Sequence, residues 1–218
     1  MKRALFGLLS AALLLSAGAA QAEVGKSEAP PEAFGHGGQF GLRLGLVGGY
    51  RMIFRYDESA YCRPYDPMKP ESEQAKSCGH TAPLATEIAL SYGLLDALEP
   101  YVWLRLGLSG EEETNTEPVQ ILGVGTRLYT MSDSAFKIFV QPAIAYEFEG
   151  EGPNPDPLAP PGYDPDYSKD LVFHLAIGGH YDFHKNVGAF LDGGVTTGIF
   201  RGIHSELEVQ LGVQGRYP

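Results

Sequence analysis

The last stretch of the chain, SELEVQLGVQGRYP (Ser205 to Pro218), alternates almost to its end. Leu207, Val209, Leu211, Val213 and Tyr217 take one parity; Glu206, Glu208, Gln210, Gln214 and Arg216 take the other. A period of two puts successive side chains on opposite faces of a β-strand, here one apolar and one polar. In a soluble protein the apolar face packs on a core. In a membrane barrel it meets lipid, and the polar face fills the lumen. One strand cannot separate these readings, so the rest of the chain must.

The alternation keeps returning. Phe40, Leu42, Leu44, Leu46, Tyr50, Met52, Phe54 and Tyr56 stand opposite Gln39, Arg43, Arg51 and Arg55. Later segments start near Leu84, Tyr101, Leu122, Phe136, Leu171 and Val187, which with the C-terminal one makes eight strands. A tilted membrane strand needs about 9–11 residues, and an even strand number is the rule for such barrels. The connections alternate as well. Leu94 to Glu99, Met131 to Ala135 and Phe183 to Asn186 are short, whereas Asp57 to Pro83, Gly110 to Glu117 and Glu149 to Ser168 are longer, polar and acidic. Long loops at one end and short turns at the other is the asymmetry of outer-membrane barrels, with the short turns in the periplasm.

Inventory decides which face is inside. An eight-stranded barrel has an interior just wide enough for side chains to fill. The apolar parity carries most of the Leu, Ile, Val, Phe and Tyr, too much for that space. The polar parity is thinned by Gly41, Gly45, Gly49, Gly107, Gly123, Gly125, Gly178, Gly188, Gly194, Gly198 and Gly212, giving long Arg and Glu side chains room. Aromatic placement agrees: Phe40, Tyr92, Phe136, Tyr181 and Tyr217 fall near the short-turn end, and Phe54, Tyr56, Tyr146, Phe148 and Phe173 near the long-loop end, all on the apolar parity. Two aromatic girdles mark the two membrane–water boundaries. The expected fold is all-β, an eight-stranded antiparallel up-and-down transmembrane β-barrel spanning 39–218.

Export is consistent with this. Lys2 and Arg3, an apolar run from Ala4 to Leu15 and small residues up to Ala20-Gln21-Ala22 have the layout of a cleaved signal peptide over 1–22. Residues 23–38, rich in Pro, Gly and Glu, read as a disordered leader. The formal charge of −11 becomes −13 once Lys2 and Arg3 are removed, which argues against nucleic acid as a partner. Cys62 and Cys78 would both meet an oxidising compartment, where a disulfide is expected; no residue at ligand spacing joins them into a metal site.

On this pattern and strand count, from Gln39 to Tyr217, the chain resembles the small eight-stranded outer-membrane barrels of the outer-membrane-protein-A transmembrane-domain and outer-membrane-protein-X type. The resemblance implies residence in the outer membrane and contact with its lipid and lipopolysaccharide. It also implies recognition of the C-terminal strand by the barrel-insertion machinery, with Tyr217 as the terminal aromatic, although Pro218 follows it. A monomer is expected.

The polar parity offers a lumen charge network: Arg43, Arg51, Arg55, Arg105, Arg127, Lys137 and Arg216 with Glu87, Glu147, Asp182, Asp192, Glu206 and Glu208. Buried charges must pair, so these should form a hydrogen-bonded plug, with a gated narrow pore as the alternative. His180, Asp182 and His184 share a face near the short-turn rim; two histidines and a carboxylate can hold a metal, but a hydrated cluster is the plainer reading, and no metal or cofactor is expected. Thr86, Thr126 and Thr197 lie on the apolar parity without a His or carboxylate beside them, and His80 and Ser77 fall in a loop, so no enzyme, including a lipid-modifying one, is anticipated. The acidic loops could bind divalent cations shared with lipopolysaccharide phosphates, or form only a solvated, repelling surface. The function these readings favour is a non-enzymatic barrel serving envelope integrity or surface interaction.

Overall fold

The computed structural model describes residues 34–55, 67–70, 73, 77–109, 118–148, 169–199 and 202–218. The strands are β1 (Phe40–Arg55), β2 (Ser77–Tyr92), β3 (Leu98–Gly107), β4 (Gln120–Thr130), β5 (Phe136–Phe148), β6 (Lys169–His184), β7 (Val187–Gly198) and β8 (Gly202–Tyr217). Each pairs antiparallel with its neighbours in sequence, and β1 closes on β8 from Phe40↔Tyr217 to Arg55↔Gly202. Closure gives every strand two partners and leaves no edge, which a strand crossing hydrocarbon requires. Among the described residues no helix is long and apolar enough to cross a membrane.

The strands are unequal in length. β1, β2, β6 and β8 each run for 16 residues, more than the roughly 9–11 that a tilted crossing needs. The surplus extends toward the long loops. β2 therefore begins well before the expected Leu84, and Ser77 and His80 belong to a strand, not to a loop. A bulge accompanies the extension: Val47 pairs with Ala85 but Gly49 with Ala82, leaving Pro83 and Leu84 opposite Gly48. Proline lacks the N–H a ladder needs and is tolerated at such a bulge. The extra residue switches parity, so His80 and Ala82 face inward on even positions, while Ala85, Glu87 and Ala89 do so on odd ones.

The outer surface is apolar. Phe40, Tyr92, Phe136, Tyr181 and Tyr217 are exposed at the short-turn end, and Tyr50, Phe54, Tyr146 and Phe173 toward the other. Neighbouring rings touch at both levels: the centroids of Phe40 and Tyr92 are 4.9 Å apart, and those of Tyr146 and Phe148 5.4 Å. Tyr56 lies outside the described residues.

The interior is more aromatic than the charge inventory suggests. Ala89, Tyr101, Trp103, Ile121, Ala145 and Val172 form one buried cluster, and Tyr129, Phe139 and Phe190 another. The inward glycines make room for these rings as much as for charged side chains. A Cβ on Gly123 would stand 2.5 Å from the Trp103 indole nitrogen, and one on Gly178 2.7 Å from the Phe139 ring. At Gly212 it would meet the Leu44 carbonyl oxygen as well as Phe190, and a backbone atom held in a ladder cannot step aside.

Residues 1–33 lie outside the described residues, and with them the signal peptide and most of the leader. Phe34–Gly38 correct the expectation that the leader is disordered throughout. Gly38 N–H donates to the Gly93 carbonyl at 2.7 Å, Gly93 N–H donates to that of Gln39 at 2.9 Å, and Gly37 N–H donates to Asp96 Oδ1 at 2.8 Å. Gly38 makes the turn at φ 78°, a backbone region that favours glycine. The backbone of Cys78 sits near the long-loop end of β2, and Cys62, hence the expected disulfide, lies outside the described residues.

Gly212→Ala should lower the stability of the refolded barrel by about 1–3 kcal/mol, as overpacking does. Gly193→Ala, whose Cβ would find only the Glu208 carbonyl at 3.7 Å, should be close to neutral. Urea unfolding in detergent micelles compares the two; equal destabilisation would show that Gly212 is not a contact point.

Candidate functional site

The charged side chains occupy the lumen in layers, each centred on a carboxylate. Nearest the long loops, Arg51 on β1 pairs with Glu147 on β5. In a closed ring of eight these strands are diametrically opposed, so the bond crosses the full width of the lumen. His204 of β8 adds a contact from its Nε2 to Glu147 Oε2 at 3.0 Å.

The next layer is built on Glu208. Arg105 donates through Nη1 to Glu208 Oε2 at 2.6 Å and through Nη2 to Oε1 at 3.0 Å. The same guanidinium reaches Glu87 Oε2 through Nε at 3.2 Å and Nη2 at 3.0 Å. Thr196 donates to Glu208 at 3.1 Å, and His174 Nδ1 lies 3.0 Å from its other oxygen. Such two-point pairing of Arg with carboxylate fixes geometry as well as charge.

Glu99 forms the third centre, with a side chain fully withdrawn from solvent. Arg127 Nη1 donates to its Oε1 at 2.8 Å, Arg216 Nη1 lies 2.8 Å from Oε2, and Gln214 donates to Oε1 at 3.3 Å. Arg127 also donates to Gln141 at 2.7 Å and lies 4.1 Å from the Tyr101 ring centroid. Arg43 is held differently. Its guanidinium carbon sits 4.6 Å from the Phe139 centroid and 4.1 Å from that of Phe190, and its Nε donates to Gln214 at 2.9 Å. Among the described residues no carboxylate pairs with Arg43; aromatic faces carry part of its charge.

The innermost layer lies at the short-turn mouth. Asp182 takes a bond from Lys137 on Oδ2, while His180 Nε2 lies 2.7 Å from Oδ1. His36, from the leader, enters this layer with its Nε2 3.5 Å from Asp182 Oδ2. Its ring stands edge-on to Tyr129 at 4.8 Å. Gly188 of β7 pairs with Asp182, and a Cβ there would meet His180 Nε2 at 2.6 Å, so glycine clears the space the pair occupies.

Of the charged set read from sequence, Arg43, Arg51, Glu87, Arg105, Arg127, Lys137, Glu147, Asp182, Asp192, Glu208 and Arg216 are buried in the lumen. Glu206 is half-buried. The Arg55 side chain lies outside the described residues. Asp192 enters the lumen, but among the described residues neither of its oxygens has a hydrogen-bond partner. His184 does not join His180 and Asp182. A register shift between Asp182 and His184 turns it outward, where it is exposed beside the two-residue turn. The sequence places Glu99 in the turn after β2, but β3 begins at Leu98. Its parity with Tyr101, Trp103 and Arg105 is the signal that finds it. His36 has no such signal, since a leader has no periodicity.

No family model matches the chain, and no curated protein does. Among solved structures it is similar to neisserial surface protein A, at 11% identity and a TM-score of 0.51, over 83% of this chain and 99% of that one. It is likewise similar to the outer membrane protein OprG from Pseudomonas aeruginosa, at 10% identity and a TM-score of 0.51, over 85% of this chain and 99% of that one. At these identities the likeness concerns the fold: this chain folds as a small eight-stranded barrel of the outer-membrane kind.

Glu99→Ala should destabilise the barrel by roughly 3–5 kcal/mol, because it strands two buried guanidinium groups. Glu206→Ala, at a half-buried position, should have a clearly smaller effect. Unfolding of the two variants side by side is the check, and a reversed order would remove Glu99 from the centre of the network.

Proposed function

We propose that the chain is a non-enzymatic protein of the outer membrane whose lumen is plugged, and that it serves envelope integrity or surface interaction. The observation carrying this reading is the bond from Arg51 to Glu147, which joins opposite walls of the barrel. Behind it the Glu208, Glu99 and Asp182 layers draw on different strands. A solute would have to part all of them, and buried ion pairs are expensive to break.

The apolar belt and its two levels of aromatic rings favour insertion in a bilayer, with lipid and lipopolysaccharide as the immediate neighbours. The C-terminal strand, with its exposed Tyr217, is the part offered to the barrel-insertion machinery. The short-turn end then faces the periplasm. The non-enzymatic reading draws support from where the histidines lie. His80, His174 and His180 are buried on the lumen side, away from the hydroxyls of Thr86 and Thr197 on the outer parity. Closure leaves no strand edge for a second copy to pair with, which supports the monomeric reading.

Planar-bilayer recording on the refolded chain tests the plug. The expected trace has no steady conductance steps at moderate voltage; a reproducible single-channel step would replace the plug with a narrow channel. Topology has its own check on intact cells with an impermeant thiol reagent, in a background where Cys62 and Cys78 are both serine. Asn154→Cys, in the long β5–β6 connection, should be labelled, and Ser134→Cys, in the β4–β5 turn, should not. The opposite labelling would invert the orientation.

A further inference from the structure

We propose that His36, His180 and Asp182 form a site for one divalent transition-metal ion of the zinc, cobalt or nickel class, closing the short-turn mouth of the lumen. The ion would tie the leader to β6. The three residues are buried, and their ligand atoms all lie within 4.8 Å of one another. Around a tetrahedral ion with bonds of about 2.0–2.2 Å, ligand atoms lie roughly 3.3–3.6 Å apart. A contraction of about an ångström therefore completes the set, and rotation of the His36 ring on its side-chain bonds, outside the strands, can supply that movement.

The donor set and its surroundings fit this class of ion. Two imidazoles and a carboxylate suit zinc and its neighbours and are too few in oxygen for calcium or magnesium. If His36 binds through Nε2, its Nδ1 is left facing Glu99 Oε2 at 3.6 Å. A carboxylate behind the far nitrogen is the usual support for a metal-bound imidazole, fixing its tautomer and orientation. Among the described residues, the Nδ1 atoms of both His36 and His180 are buried with no hydrogen-bond partner. Backbone contacts hold His36 in place regardless of what its ring does: Gly37 and Gly38, on its C-terminal side, are bonded to Asp96 and Gly93.

Nearby cations oppose the ion. Lys137 bonds to Asp182 Oδ2 and supplies a positive charge where the metal would sit, and Arg127 and Arg216 lie close behind Glu99. Binding is therefore an exchange, in which Lys137 gives up Asp182 as the ion takes it. That makes the affinity moderate and gives the site a signature that a surface histidine would lack: removing a cationic side chain should strengthen binding.

The test is equilibrium dialysis of Zn²⁺ and Co²⁺ against the untagged full chain refolded in detergent, with the visible spectrum of bound Co²⁺ as a second readout. About one ion per chain is expected. His36→Ala should weaken binding by more than the ~10–100-fold that loss of an outer-shell partner causes, and His36→Gln should do the same. Both lie outside the strands, so the heat-modifiable gel shift of the folded barrel should persist. Lys137→Met should tighten binding, and His184→Ala should leave it unchanged. Absence of binding by the wild-type chain would overturn the proposal, whatever Lys137→Met does. So would binding that survives His36→Ala, weakens with Lys137→Met, or disappears with His184→Ala.

Discussion

A carboxylate clasped between two guanidinium groups, Glu99 between Arg127 and Arg216, sets the terms for the rest of the molecule. Closing eight strands into a ring satisfies the backbone but encloses a space that side chains must fill. With lipid outside, the apolar parity is committed outward and the polar parity inherits the interior. Charges there are costly unless they find a partner, and most of them do. Partners in a small ring are found across it: β3, β4 and β8 all send side chains to the Glu99 layer. The charges are thus also tie-lines that hold the wall in shape.

Filling by charge alone would leave gaps, and the aromatic residues close them. Trp103 lies against His174 at 5.6 Å between centroids and 5.0 Å from the Arg105 guanidinium carbon. Tyr129 donates to neither side but accepts from both Arg43 and Arg216 at 3.4 Å. Rings and guanidinium planes stack in little volume, and glycines opposite them take up the thickness. This explains why one parity mixes the largest and the smallest residues.

The architecture was legible from the sequence because its signal is long and redundant. Eight segments of alternation, connections of alternating length and aromatics at both ends all reflect one constraint, a lipid-facing side on every strand. Where that signal weakens, the reading slips. Glu99 sits within a turn-like run, Leu94 to Pro100, whose proline suggests a break although the strand has begun at Leu98. Pro83 marks the point where β2 bulges and changes parity, so the residues before it looked like loop. The same happens at the other end of the barrel, where the shift after Asp182 sends His184 outward. Pairwise identities inside the lumen were never available, because parity says which residues face in but not at what height they meet. Trp103 and Phe139 show a further limit: inward-facing position and polarity are different properties, and periodicity reports only the first.

The layered arrangement bears on how such a lumen could ever conduct. Breaking one buried ion pair by removing a partner is worth about 3–5 kcal/mol. The Glu147, Glu208 and Glu99 layers use different carboxylates and different arginines, and independent sites add. Parting all three in one event would desolvate or rehydrate every one of these charged groups together, whereas a mutation affects one. Loss of a single layer leaves the others standing. On the plugged reading, then, opening is not a modest fluctuation of an otherwise intact barrel. On that reading, several separate carboxylate centres in so narrow a space favour the closed state.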